Sequence, residues 1–172
     1  MIYLITGALV IGAIAFLLLK SKKPINISEH ENSITCNSEK EKTPLSNDII
    51  SYTNKLNKTK ELYPFTKWRE NFFEYDMEQY SEQNCNHAQG IFDNLIAKLI
   101  SLGEHGNKKD KEKCFEIAVK SLNKLNEVDE GIIETGERED LCELIDQIAL
   151  AAGLIPEEYG EGEGIADLWR EW

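Results

Sequence analysis

The chain has 172 residues, 41% hydrophobic and 29% charged, with a formal net charge of −12. An acid excess of this size repels nucleic acid and anionic headgroups, so the sequence excludes nucleic acid as a partner and favours a basic one. Four widely spaced cysteines, Cys36, Cys85, Cys114 and Cys142, contain no C-x-x-C pair and so no thioredoxin-like redox motif.

In chain order, the first element is apolar. Residues 1–19 carry no charged side chain, and Lys20, Lys22 and Lys23 follow at once. A helix of that length rises about 28 Å, close to the hydrocarbon thickness of a bilayer. The flanks argue for a transmembrane helix over a cleaved leader: no Lys or Arg precedes the run, and Phe16-Leu17-Leu18-Leu19 ends it with bulky residues. The positive cluster lies after the span, which predicts a single-pass protein of the inner (cytoplasmic) membrane with its C-terminal domain in the cytoplasm. In that reducing compartment the cysteines are expected as free thiols. Residues 20–45 form a basic flank and a polar stretch without periodicity, read as a flexible linker.

From 46 to 172 the apolar residues follow a helical period, and no segment alternates as a strand would. Ser46 is placed to cap a helix carrying Ile49, Ile50 and Leu56, ending before Pro64. Thr66 would cap the next, with Trp68, Phe72 and Tyr75 on one face. Ala88, Ile91, Phe92, Leu95, Ile96, Leu99 and Leu102 give the clearest stripe, closed by Gly103. Phe115, Ala118, Val119, Leu122 and Leu125 give another, entered through the polar run 107–113. Thr135 opens a helix over Leu141, Leu144, Ile145 and Ile148, which Gly153 should end in a left-handed conformation before Pro156. A last short helix is expected over Ile165, Leu168, Trp169 and Trp172. The predicted fold is all-α: a transmembrane helix, a flexible linker, and a compact bundle of five or six helices.

Catalytic and cofactor patterns are missing. The sequence holds no G-x-x-x-x-G-K-[ST], G-x-G-x-x-G, H-E-x-x-H or G-x-S-x-G. Cys85 and His87 stand two apart, which sends them to different faces of a helix. The acids near the end lack the order of a calcium loop. No enzyme activity, metal or cofactor is expected.

The charge points instead to binding. Residues 129–172 hold fourteen Asp or Glu against Arg138 and Arg170. Within them Gly160, Gly162 and Gly164 interleave with Glu161 and Glu163, read as a mobile acidic loop that no core requirement demands. Trp and Arg concentrate in binding hot spots, and acids orient a basic partner. Glu157, Glu158, Glu161, Glu163, Trp169, Arg170 and Trp172 are therefore the expected contacts to a basic protein. Trp172 is expected to be harder to bury than Trp169. Trp68, Phe72, Phe73 and Tyr75 form a second aromatic group, which core packing explains.

The stretch 122–172 carries Leu-Asn-Lys-Leu-Asn (122–126), Ile-Glu-Thr-Gly-Glu-Arg-Glu-Asp-Leu-Cys (133–142) and the ending Leu-Trp-Arg-Glu-Trp. It resembles the C-terminal part of a group of small acidic helical bacterial proteins, mostly uncharacterised, some of immunity-protein type. The resemblance implies a helical hairpin and a non-enzymatic inhibitor that blocks a cognate toxin by tight binding. The apolar N-terminus departs from the soluble pattern of that group. It leaves room for the alternative of a structural or adaptor subunit in an inner-membrane assembly.

Overall fold

The computed structural model describes residues 44–128 and 131–172. The expected transmembrane helix (1–19) and residues 20–43 of the expected linker lie outside them. Among the described residues the chain is all-helical, without strands, and no helix is long and apolar enough to cross a membrane.

The helices are α1 (Pro44–Lys58), α2 (Phe65–Tyr75), α3 (Glu82–Leu102), α4 (Lys108–Val128) and α5 (Thr135–Ala151), with short 3-10 turns between and after them. Helix α1 already contains Pro44 and Leu45, so Ser46 is not its cap and the linker reading ran two residues too far. Proline is tolerated in a first turn because the amide it lacks has no partner there. Thr66 likewise lies inside α2, whose N-cap is Pro64.

Helix α3 begins earlier than its apolar stripe. Ser81 caps it, with Oγ accepting from the Asn84 amide at 3.2 Å. The polar run 107–113 is mostly helix: Asn107 Oδ1 accepts from the Lys109 amide at 2.8 Å and α4 starts at Lys108. Charged residues suit an exposed first turn, so polarity there marked a helix start rather than a loop. Helices α3 and α4 then form the most extensive helix pair in the fold.

The core draws on every helix: Tyr52 and Leu56 of α1, Phe65 and Trp68 of α2, Phe92 and Leu99 of α3, Phe115 and Leu122 of α4, and Leu141 and Ile145 of α5 are all buried. Trp68 Nε1 donates to Asp140 at 3.1 Å, satisfying the one polar atom of a buried indole and tying α2 to α5. Lys111 is also buried. Its ammonium donates to the Glu104 carbonyl at 2.6 Å and the Ala152 carbonyl at 2.8 Å, and lies 5.4 Å from the Tyr52 ring centroid.

Helix α5 ends as its sequence predicts. Gly153 takes φ 81°, its amide bonds the Leu150 carbonyl at 3.0 Å, and the Leu154 amide returns to the Ala149 carbonyl at 2.9 Å. This is a Schellman motif, with Leu154 buried beyond it. A Cβ at 153 would meet no atom within 4 Å, so the need for glycine is conformational and not steric. Gly153→Val is expected to destabilise the fold by about 1–2 kcal/mol, the strain of a β-branched residue at positive φ. A thermal midpoint equal to wild type would contradict this.

Four tyrosines, Tyr52, Tyr63, Tyr80 and Tyr159, titrate late. Burial, then the charges of Glu104 and Cys114, pushes Tyr52 up to about 12. Burial raises Tyr63 and Tyr80 too, helped by Asp93 and Glu137 respectively. A phenol whose folded-state pKa exceeds its unfolded value contributes stability that is intact below the unfolded value and lost as pH climbs through the folded one. Lys111 acts in the opposite sense: burial lowers its pKa, so the folded state is penalised at neutral pH and relieved as pH rises toward 10.5. Burial raises the Cys85, Cys114 and Cys142 thiols from 9.0 in the same sense as the phenols, so stability by urea unfolding should fall from about pH 9 toward pH 12, less steeply above pH 10 in Tyr52→Phe. A profile flat to pH 12 would contradict the tyrosine assignment.

Candidate binding surface

The segment after α5 is knitted to the bundle by three local devices. Pro156 is buried and starts a 3-10 turn, Pro156–Glu158. Tyr159 follows, buried, with its hydroxyl donating to Glu112 Oε1 of α4 at 2.9 Å. Lys108 Nζ lies 5.2 Å from that ring centroid and 2.8 Å from Glu158 Oε2.

The second device is a close approach. Gly164 has φ 98°, and a Cβ there would stand 2.7 Å from both carboxylate oxygens of Asp146. Asp146 accepts from the Ile165 amide at 3.4 Å, and burial raises its carboxyl pKa. The core thus does demand this glycine, contrary to the reading of 160–164 as a loop without core requirements. One 3-10 turn, Gly160–Gly162, lies in the stretch, and Ile165 and Ala166 are buried behind it.

The third device is Asn123, a buried amide on α4. Its Nδ2 donates to the Trp169 carbonyl at 2.8 Å, and its Oδ1 accepts from the Glu171 amide at 3.3 Å. One side chain thereby holds the backbone on both sides of Arg170. The expected last helix is only a 3-10 turn, Ile165–Leu168. Past it, the Trp169 and Arg170 amides still bond the Ala166 carbonyl, while the Trp169 carbonyl and the Glu171 amide bond Asn123.

The expected contact residues separate into two groups. Glu157, Glu158, Glu161 and Glu163 are exposed, and among them only Glu158 is in an ion pair among the described residues. Trp169 and Trp172 are half-buried against the core, so Trp172 is packed rather than left free at the chain end. The Trp172 indole N–H is buried without an acceptor among the described residues. Arg170 is occupied internally: Nε donates to Asp167 Oδ1 at 2.9 Å and Nη1 to the Trp172 carbonyl at 3.1 Å. The surface therefore presents acids, while the residues expected to anchor a partner bind their own chain.

The second aromatic group divides differently from its expected packing. Trp68 is core and Phe72 is half-buried, but Phe73 and Tyr75 are 75% and 64% exposed. The inward stripe of α2 is Phe65, Trp68 and Phe72, spaced by three and four; Phe73 lies off it, and Tyr75 keeps its period but stands exposed at the last residue of the helix. Cys85 is buried and His87 exposed, so the two do not share a site. No group of three or more His, Cys, Asp or Glu among the described residues is arranged to hold a metal.

Neither Asn123 nor Asp146 stood out in the sequence as a positioning residue. The available signal was a polar residue set within each apolar stripe, beside Leu122 and beside Ile145. Comparison with family models, curated proteins and solved structures finds no match to this chain.

Asn123→Leu is expected to destabilise the fold by about 1–3 kcal/mol, because the Trp169 carbonyl and the Glu171 amide lose their partner. Tryptophan emission should shift to the red as Trp169 and Trp172 gain solvent. An unchanged emission maximum and melting curve would show that the tail is held by other contacts.

Proposed function

We propose that this chain is a non-enzymatic, membrane-anchored binding protein, most specifically an immunity protein that neutralises a cognate bacterial toxin. Residues 1–19 anchor it in the inner membrane as a single pass, with residues 46–172 in the cytoplasm. The observation that carries the reading is the exposed acidic set Glu157, Glu158, Glu161 and Glu163, on turns fastened to the bundle by Tyr159, Gly164 and Asn123. Acids on a fastened segment meet a basic surface with little ordering cost, and charge complementarity of this kind speeds association and selects the partner. Toxins that act on nucleic acid present such basic surfaces.

The alternative, an adaptor subunit of an inner-membrane assembly, draws on a different feature. Ile91, Leu95, Cys114, Ile117 and Ala118 line an open apolar groove of about 330 Å³ between α3 and α4, which suits a side chain from a neighbouring helix.

Co-expression separates the two. Cells producing the growth-inhibiting product of an adjacent gene should survive when this chain is present. Glu161→Lys with Glu163→Lys should cut survival at least tenfold, since both acids are exposed and the fold does not depend on their charge. If no neighbouring product is toxic, and the chain instead co-purifies with fixed membrane subunits through Ile117, the adaptor reading replaces the immunity reading.

A further inference from the structure

Large aromatic side chains are seldom left three-quarters exposed at the end of a helix, and Phe73 is 75% and Tyr75 64% exposed. Phe73 is held in place. Its ring meets Phe72 edge-on, with centroids 5.2 Å apart and planes at 87°. The Arg69 guanidinium lies 4.6 Å from the Phe72 centroid and 4.8 Å from that of Phe73. Arg69 is itself fixed, donating to the Tyr80 carbonyl at 2.6 Å. A ring fixed this way loses little conformational entropy when a partner covers it. Asp76, at φ 59° and ψ 33°, ends α2 directly after Tyr75.

The charge around the rings is one-sided. Residues 69–82 contain five acids, Glu70, Glu74, Asp76, Glu78 and Glu82, and one base, Arg69. All five acids are exposed, and none is in an ion pair among the described residues. Glu134, the N-cap of α5, and Glu137 of α5 stand close enough to the Tyr80 hydroxyl to raise its pKa. A second copy of this chain, at net charge −12, is repelled from such a collar, and so is an anionic bilayer. A cationic protein surface is attracted, and its Lys or Arg side chains can also lie over the faces of the two rings.

We infer that Phe73 and Tyr75, within their acidic collar, form a docking point for a Lys/Arg-rich segment of a protein partner that also carries apolar side chains. The inference rests on the reading of the chain as a binder of basic protein and adds a second contact face to the C-terminal one. Here the rings supply the apolar anchor and the acids supply orientation. The C-terminal surface has the acids but keeps its tryptophans and arginine for itself.

The probe is a fluorescent 16-residue peptide of alternating Arg and Leu blocks, titrated against the full chain in neutral detergent micelles. An Arg/Ser peptide of equal charge serves as its control. The Arg/Leu peptide should bind at least tenfold tighter than the Arg/Ser peptide. Phe73→Ser with Tyr75→Ser should erase that margin without moving the melting temperature, because both rings lie outside the core. Phe73→Trp should keep it. Equal affinity of the two peptides, or a double variant that binds like wild type, overturns the proposal. If Glu161→Gln with Glu163→Gln weakens binding while the aromatic variant does not, the C-terminal reading survives and this docking point falls. Loss of both effects removes both readings. A wild-type dimer that the aromatic variant dissolves would assign the rings to a second copy and overturn the inference as well.

Discussion

One buried cation sets the geometry on which much of this bundle depends. Among the described residues Lys111 carries its charge into the interior without a carboxylate in ion-pair reach, a placement that costs several kcal/mol unless its protons are used. Two are used on carbonyls just beyond the ends of α3 and α5, where helix dipoles concentrate negative potential. The Tyr52 ring, lying beside the ammonium, adds its negative face. Four helices are thereby referred to one atom: α4 supplies it, α3 and α5 terminate on it, and α1 packs over it. Loss of the lysine would leave two carbonyls without donors, so its burial is favourable only as a set with the helix ends around it.

That constraint carries through to the C-terminus. Because Ala152 is fixed at Lys111 and Gly153 turns the chain, Leu154 and Pro156 enter the core at a defined place and the acidic turns start from a fixed point. Asn123 holds the far end. Between the two anchors the backbone meets Asp146 so closely that residue 164 must lack a side chain. The acids are thus displayed from a frame with both ends tied, which is what a partner-selecting electrostatic surface requires.

The helices were legible because their apolar stripes are long: all seven residues of the 88–102 stripe except Leu102 are buried, as are Leu141, Leu144, Ile145 and Ile148. The turn at Gly153 was legible because a glycine after a helix, followed by an apolar residue and a proline, leaves the backbone few alternatives. Caps were less so. Ser46 and Thr66 are good cap residues by type, yet prolines at 44 and 64 set the local backbone first. At the C-terminus the sequence placed the acids outside but could not tell a tryptophan that binds a partner from one that closes its own domain. The deciding contact, Asn123 with the backbone near Arg170, spans 46 to 48 residues and leaves no local pattern. The exposure of Tyr75 was hidden because it keeps the period of Phe65, Trp68 and Phe72 yet falls at the last residue of α2, and Phe73 lies beside that stripe.

The Tyr80 carbonyl has a further consequence. It accepts from Arg69 and also from the Cys85 thiol, whose sulfur lies 3.6 Å away in a buried position that raises its pKa. A thiol in that state is protonated and shielded, so an alkylating reagent can reach it only in molecules where the α2–α3 junction has come apart. Burial raises the Cys114 pKa as well, but Cys114 is only half-buried on the wall of an open groove and can be reached without that opening. The ratio of the two labelling rates is therefore an internal clock for local opening at the base of the exposed aromatic pair, readable by mass without adding any foreign label to the fold.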